Sequence, residues 1–114
     1  MRIFVHDTAK EKVRKTSRYI QTSFGKNARL KFRHEIAHVS QLLLQNPNLG
    51  PAEPYLADAP VLYRSIVVNR LNKIIYWIND DVIEIVDFWD TRREPTAQAV
   101  QLAPEPAPSD QRKQ

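Results

Sequence analysis

VLYRSIVVNRLNKIIYWINDDVIEIVDFWDTRREP, residues 61–95, is a run of β-branched and aromatic residues broken twice by short polar stretches. Leu62, Ile66 and Val68 alternate with Tyr63, Ser65 and Val67, with Arg64 interrupting the apolar face, so 61–68 reads as a strand. Asn69 to Asn72 supply a turn, Lys73 to Ile78 a second strand, Asn79-Asp80-Asp81 a second turn, and Val82 to Trp89 a third strand. Strands joined by turns this short are antiparallel neighbours. Several of them are apolar on both faces, as expected where helices cover one side of a sheet and another segment covers the other.

Upstream, the spacing predicts helices. Residues 2–5, RIFV, form a short apolar strand candidate ended by His6-Asp7. Thr8-Ala-Lys-Glu11 has the form of a capping box, in which the Thr8 hydroxyl and the Glu11 carboxylate each satisfy a free amide of the first turn. Ala9, Val13, Thr16, Ile20 and Phe24 then mark one helical face, and Gly25 is a natural stop. A second helix follows from Lys26 to Gln45, with Ala28, Phe32, Ile36, Val39 and Leu43 as its stripe, and Asn46-Pro47 ends it. So tight a connection makes the two helices an antiparallel hairpin.

Residues 46–60, NPNLGPAEPYLADAP, hold four prolines and the second of the chain's two glycines. A loop this long is either functional or held down, here by Tyr55 and Leu56. Residues 96–114 lack aromatics and glycine and contain Pro-x-Pro-x-Pro, the composition of an extended or disordered tail. The expectation is one α+β domain over 1–95, ordered β-α-α-β-β-β, with a helical hairpin packed on a small, mostly antiparallel sheet and a Pro-rich tail over 96–114. The absence of cysteine excludes disulfides and thiolate metal sites. No apolar run approaches the ~18–20 residues that span a bilayer, and MRIFVHDTAKEK lacks the apolar stretch of a signal peptide, which together suggest a cytoplasmic protein. Seventeen Lys and Arg against thirteen Asp and Glu give +4 over the whole chain. That balance suits an acidic protein partner or nucleic acid.

His34-Glu-Ile-Ala-His38 matches the H-E-x-x-H pattern of helical zinc proteases. At about 100° per residue, both histidines fall roughly 160° from Ile36, away from the buried stripe. They face solvent, where no cleft can shape a substrate, so no metal and no cofactor is expected.

The remaining candidates are Arg64, Arg70, Lys73, Arg92 and Arg93, with Trp89 and Asp90 beside them. In a meander, strand ends at one edge come close, and converging cations can hold phosphates or a partner's carboxylates. The plain alternative is a set of solvated edge residues with local ion pairs, Arg93 with Asp90 for instance.

The hairpin, the Pro/Gly loop, Leu62-Tyr63-Arg64-Ser65, Lys73-Ile-Ile-Tyr76 and the ending Trp89-Asp-Thr-Arg-Arg-Glu-Pro95 resemble, in order and spacing, the RelE/ParE superfamily of bacterial type II toxins. Tyr63-Arg64, Lys73 to Tyr76, and Arg92-Arg93 answer to the family's sheet positions. The resemblance implies a growth inhibitor in a hetero-oligomer with a cognate antitoxin, a protein with an acidic segment and a DNA-binding domain. RelE-like members cut ribosome-bound mRNA without metal, and by that likeness Lys73, Arg92 and Arg93 would be the catalytic cations. Those nucleases place a Tyr or His just beyond the last strand, and here neither type follows Asp90. ParE-like members poison DNA gyrase without a catalytic side chain and carry a long hairpin. The resemblance therefore favours ParE, with Arg64, Arg70, Lys73, Trp89, Arg92 and Arg93 as target- or antitoxin-binding residues. A ribosome-dependent ribonuclease and a protein-binding module without activity are the alternatives.

Overall fold

The computed structural model of the chain describes residues 1–93 and 98–99. Its elements are β1 (Arg2–Val5), α1 (Asp7–Phe24), α2 (Lys26–Gln45), a single 3-10 turn (Pro54–Leu56), β2 (Arg64–Val68), β3 (Asn72–Asn79) and β4 (Val82–Asp90). The strands form one mixed sheet in the order β1-β4-β3-β2, with β1 parallel to β4 and the other pairs antiparallel. This is the expected β-α-α-β-β-β arrangement. Among the described residues no helix is long and apolar enough to cross a membrane.

A bulge in β4 decides which side chains meet the helices. Ile75 and Tyr76, adjacent on β3, face Asp87 and Ile85, so Val86 is left over. Strict alternation would send Ile83, Ile85 and then Asp87 to one face; the extra residue resets the parity, and Phe88 takes that place instead. Ile83, Ile85 and Phe88 accordingly join Val68, Ile74 and Tyr76 under Ala9 of α1 and Phe32 and Leu43 of α2. Phe32 meets Phe88 edge to face, with ring centres 6.1 Å apart. Val86 and Trp89 belong to a second cluster with Leu56, Tyr63 and Ile75 on the outer face.

The segment between α2 and β2 starts on the helix side of the sheet, follows the free edge of β2 and reaches the outer face at Leu56. The Tyr76 hydroxyl, wholly buried, donates to Pro47 O at 2.8 Å and accepts from Gly50 N at 2.9 Å. From there the chain runs beside the outer edge of β2: Ser65 N donates to Pro51 O at 3.0 Å, and Glu53 N to Tyr63 O at 2.9 Å. Edge groups that would template aggregation are thereby occupied. Gly50 is required by close approach, since a Cβ there would lie 2.6 Å from Ser65 O.

Four expectations change. Helix α1 begins at Asp7 with His6 at its cap and no side-chain capping bond, so the Thr8–Glu11 box does not form. His6 is held elsewhere: its amide donates to Ile85 O at 2.8 Å and its Nε2 lies 3.1 Å from the buried Glu84 carboxylate. The Asp7 carboxylate stands in the first turn, where the helix dipole favours it. Phe24, assigned to the buried stripe, is 70% exposed at the tip of the hairpin, where its ring meets Tyr19 edge to face. Leu62 is exposed and β2 starts at Arg64, because Tyr63 pairs with the loop instead. Leu56 anchors that loop and Tyr55 stays exposed. Of the expected Pro-rich tail, Gln98 and Ala99 pack on the domain, and its other residues lie outside those described.

Candidate functional site

The sequence candidates separate into two groups once folded. Lys73, Trp89 and Arg93 share a small open cleft of about 160 Å³, whose other walls are Tyr55, Asp90, Thr91 and Gln98. Arg64 and Arg70 are not part of it. The Arg64 guanidinium donates to Gly50 O at 2.8 Å and holds the loop to β2. Arg70 stands exposed in the β2–β3 turn, where it and Asn69 both take positive φ, 68° and 45°. That is the left-handed geometry a tight hairpin turn demands, and Asn69 Oδ1 supports it by accepting from Leu71 N at 3.3 Å.

Within the cleft most charge is already spent. Lys73 Nζ donates to Glu53 Oε1 at 2.5 Å and lies 5.5 and 5.8 Å from the centres of the Trp89 and Tyr55 rings. The ammonium thus rests between two aromatic faces and a buried carboxylate. Burial alone pushes Glu53 upward; the hydrogen bonds from Lys73, the Tyr55 amide and Ser65, with the Lys73 charge, outweigh it and hold the carboxyl below its ordinary value. Arg92, not Arg93, pairs with Asp90: its Nε and Nη2 lie 3.1 and 3.2 Å from the two carboxylate oxygens. The Arg92 hydrogen bond holds the Asp90 carboxyl below its usual range. Arg93 is exposed, lines the cleft, and forms no ion pair among the described residues. Behind the cleft, the buried Asp87 accepts from the Trp89 indole at 3.0 Å and from Lys12 of α1 at 2.7 Å, which fixes the orientation of the ring.

His34 and His38 of the H-E-x-x-H match are both exposed on α2, as the helical phase requires. Among the described residues no group of three or more His, Cys, Asp or Glu side chains is placed to hold a metal ion.

A second site escaped the sequence analysis. Between the hairpin and the sheet lies a groove of about 440 Å³, floored by Val5, Ala9, Val13, Ile36, Ile74, Ile85 and Phe88. Lys10 and Arg14 of α1 and Arg29 and Arg33 of α2 stand along it. Arg14 pairs with Glu11 at 2.5 Å; the Arg29 guanidinium donates to the neutral Gln21 at 2.5 Å; Arg29, Lys10 and Arg33 are in no ion pair among the described residues. Two buried polar atoms in the groove wall, Ser17 Oγ and Arg29 Nε, have no hydrogen-bond partner among the described residues. An unpartnered buried polar atom costs about 1–3 kcal/mol, which an incoming hydrogen-bonding group recovers. Charge distribution was the signal that could have found this site. Residues 7–45 hold nine Lys and Arg against three Asp and Glu, whereas 61–95 hold five against six. The positive surface is therefore the hairpin, not the sheet.

The family model described as "ParE toxin of type II toxin-antitoxin system, parDE" matches residues 3–95. Among solved structures, the fold is similar to a chain of the chromosomal ParDE TA system from P. aeruginosa, with a TM-score of 0.65 and 18% sequence identity. That likeness covers 79% of this chain and 95% of the other. No curated protein sequence matches the chain significantly.

Proposed function

The chain belongs to the ParE toxin family of type II toxin–antitoxin systems, and from that premise we propose that a cognate antitoxin neutralises it through the groove under the hairpin and that its target is DNA gyrase. The groove carries the antitoxin half of this reading. Its apolar floor suits the anchors of an amphipathic segment, its four rim cations suit flanking carboxylates, and Ser17 Oγ and Arg29 Nε await polar atoms. An acidic antitoxin segment supplies all three.

The cleft supports the target half. Metal-independent RNA cleavage needs unneutralised cations around the phosphorane and a proton donor for the leaving oxygen. Here Lys73 is already neutralised by Glu53 and Arg92 by Asp90, which leaves Arg93 as the available charge of the cleft among the described residues. A protein that poisons its target by binding needs no such constellation. Arg93, exposed beside Tyr55, serves as a contact residue in that case, with Lys73 and Trp89 as its support.

The test uses the purified protein and its cognate antitoxin, to be sought as a small acidic protein encoded beside it. Added to gyrase and supercoiled DNA, the toxin is expected to trap cleaved gyrase–DNA complexes, and prior addition of the antitoxin to abolish this. Arg33→Glu together with Lys10→Glu is expected to weaken the antitoxin complex at least tenfold at low salt, with a smaller effect at high salt. Cuts in ribosome-bound mRNA with gyrase unaffected would replace the gyrase reading by the ribonuclease one. Unchanged antitoxin affinity in the charge-reversed protein would remove the groove from the interface.

A further inference from the structure

We infer that Gln98 and Ala99 form an intramolecular strap that walls one side of the Lys73–Trp89–Arg93 cleft and covers the free flank of β4 beside it, and that has to leave before this flank and the cleft engage a partner. The second half of this inference rests on the reading of the cleft as a target-contact surface.

Beyond β1, which pairs with residues 82–85 of β4, the far end of β4 has no strand on that side among the described residues. On the other flank Asp90 is opposite Asn72, and Thr91 N donates to Leu71 O at 2.8 Å. Hydrogen-bonding direction alternates along a strand, so the Asp90 amide and carbonyl point to the unpaired flank. Gln98 meets both of them. Its Oε1 accepts from Asp90 N at 3.2 Å and its Nε2 donates to Asp90 O at 3.4 Å. A primary amide donating and accepting against one residue reproduces what a peptide group of a neighbouring strand would do. The glutamine is a one-residue substitute for a missing strand.

Its surroundings show that the contact is a seated one. Gln98 is 2% exposed, an unusual burial for a glutamine, and it lines the cleft together with Lys73, Trp89 and Arg93. Ala99 packs against the outer cluster of Leu56, Tyr63, Ile75, Val86 and Trp89. The strap thus covers the apolar floor next to the cleft and occupies the hydrogen-bonding groups at its rim.

The same observations limit its strength. Both hydrogen bonds are between neutral groups and the longer is weak in geometry, so the clasp shifts the closed–open balance by on the order of tenfold and no more. A strap held that loosely is displaced by any partner that offers a peptide edge and buries more apolar surface. It is a gate and not a fixed part of the core.

Amide hydrogen exchange of the full chain, followed by NMR, tests the closure. In Gln98→Ala the Asp90 amide is expected to exchange about tenfold faster, while the amide of Ile75, in the middle of the sheet, keeps its rate. Ala99→Asp, which leaves Gln98 intact but drives a carboxylate into the apolar cluster, is expected to accelerate Asp90 in the same way. Unchanged Asp90 exchange in both variants would overturn the strap. Trapping of gyrase–DNA complexes by the same two proteins tests the gate. Half-maximal trapping is expected at several-fold lower concentration than for the parent chain. Faster Asp90 exchange with an unaltered trapping curve would overturn the gating. Failure of all three proteins to trap gyrase would instead strike the proposed target, and the gating with it, while the exchange data would still decide the closure.

Discussion

Replacing Lys73 by methionine separates the structural duty of this lysine from any contact with a target. The Lys73 side chain is 19% exposed and that of its partner Glu53 not at all. Removing one member of a buried pair leaves the other uncompensated, at a typical cost of 3–5 kcal/mol. Because Lys73 retains some access to water, the lower end applies, about 3 kcal/mol. Methionine keeps most of the volume of the lysine stem against Trp89 and Tyr55, so lost packing contributes little. In a domain of this size each kcal/mol lowers Tm by about 4–8 °C, giving a fall of roughly 12–24 °C. Urea denaturation should show the same loss as a shift in midpoint at constant slope. Adding Glu53→Gln to Lys73→Met removes the stranded carboxylate, and the double variant is expected to recover about 2 kcal/mol relative to Lys73→Met alone. A loss under 1 kcal/mol in Lys73→Met, or strict additivity with Glu53→Gln, would refute the pair as a structural element. Growth inhibition then reads the function. If the double variant regains toxicity that Lys73→Met lost, the lysine acts through the fold; if both stay inactive, its ammonium touches the target.

Two further outcomes follow from the same framework. Tyr76→Phe removes the hydroxyl that donates to Pro47 O and accepts from the buried Gly50 N, and should cost about 2 kcal/mol in urea unfolding with the fold retained; a loss below 0.5 kcal/mol would show that the loop is anchored elsewhere. Acid should weaken the protein in a defined window. The folded Glu53 and Asp90 carboxyls both lie below their ordinary values of 4.5 and 3.8, so the stability they contribute is fully present above those values and is lost as pH falls through the lower, folded ones. Stability from these two groups is therefore expected to be flat from neutral pH to about 5 and to fall below about 4.5. Lys73→Met/Glu53→Gln should flatten that fall, since the Asp90–Arg92 pair is solvent-exposed and screened. An acid limb identical in the double variant would contradict the assignment.

Much of the fold was already present in local pattern. Periods of about 3.6 over 9–43 and of 2 over 62–89, with Gly25, Asn46-Pro47 and the two polar turns as punctuation, determined the element order, because each signal acts between residues a few positions apart. Short turns likewise made the last three strands antiparallel neighbours. What tertiary structure alone decided was where long-range partners intervene. The Thr8 box lost to His6, held by Ile85 and Glu84; the strand expected from Val61 lost its start to pairing of Tyr63 with Glu53; and a one-residue bulge at Val86 put Phe88 rather than Asp87 under the helices. The site followed the same division. Lys73, Trp89 and Arg93 were visible as residue types near strand ends, and two of the three carried charge. The neutralisation of Lys73 by Glu53, 20 residues earlier in the chain, is set by a loop whose path no local pattern records. The apolar floor of the groove was hidden for the same reason, since it draws on β1, both helices, β3 and β4, although the charge of the hairpin pointed to its rim. Sequence by itself determined which faces are apolar and that positive charge concentrates on the hairpin; only packing decided which of those faces stay uncovered and which cations stay free.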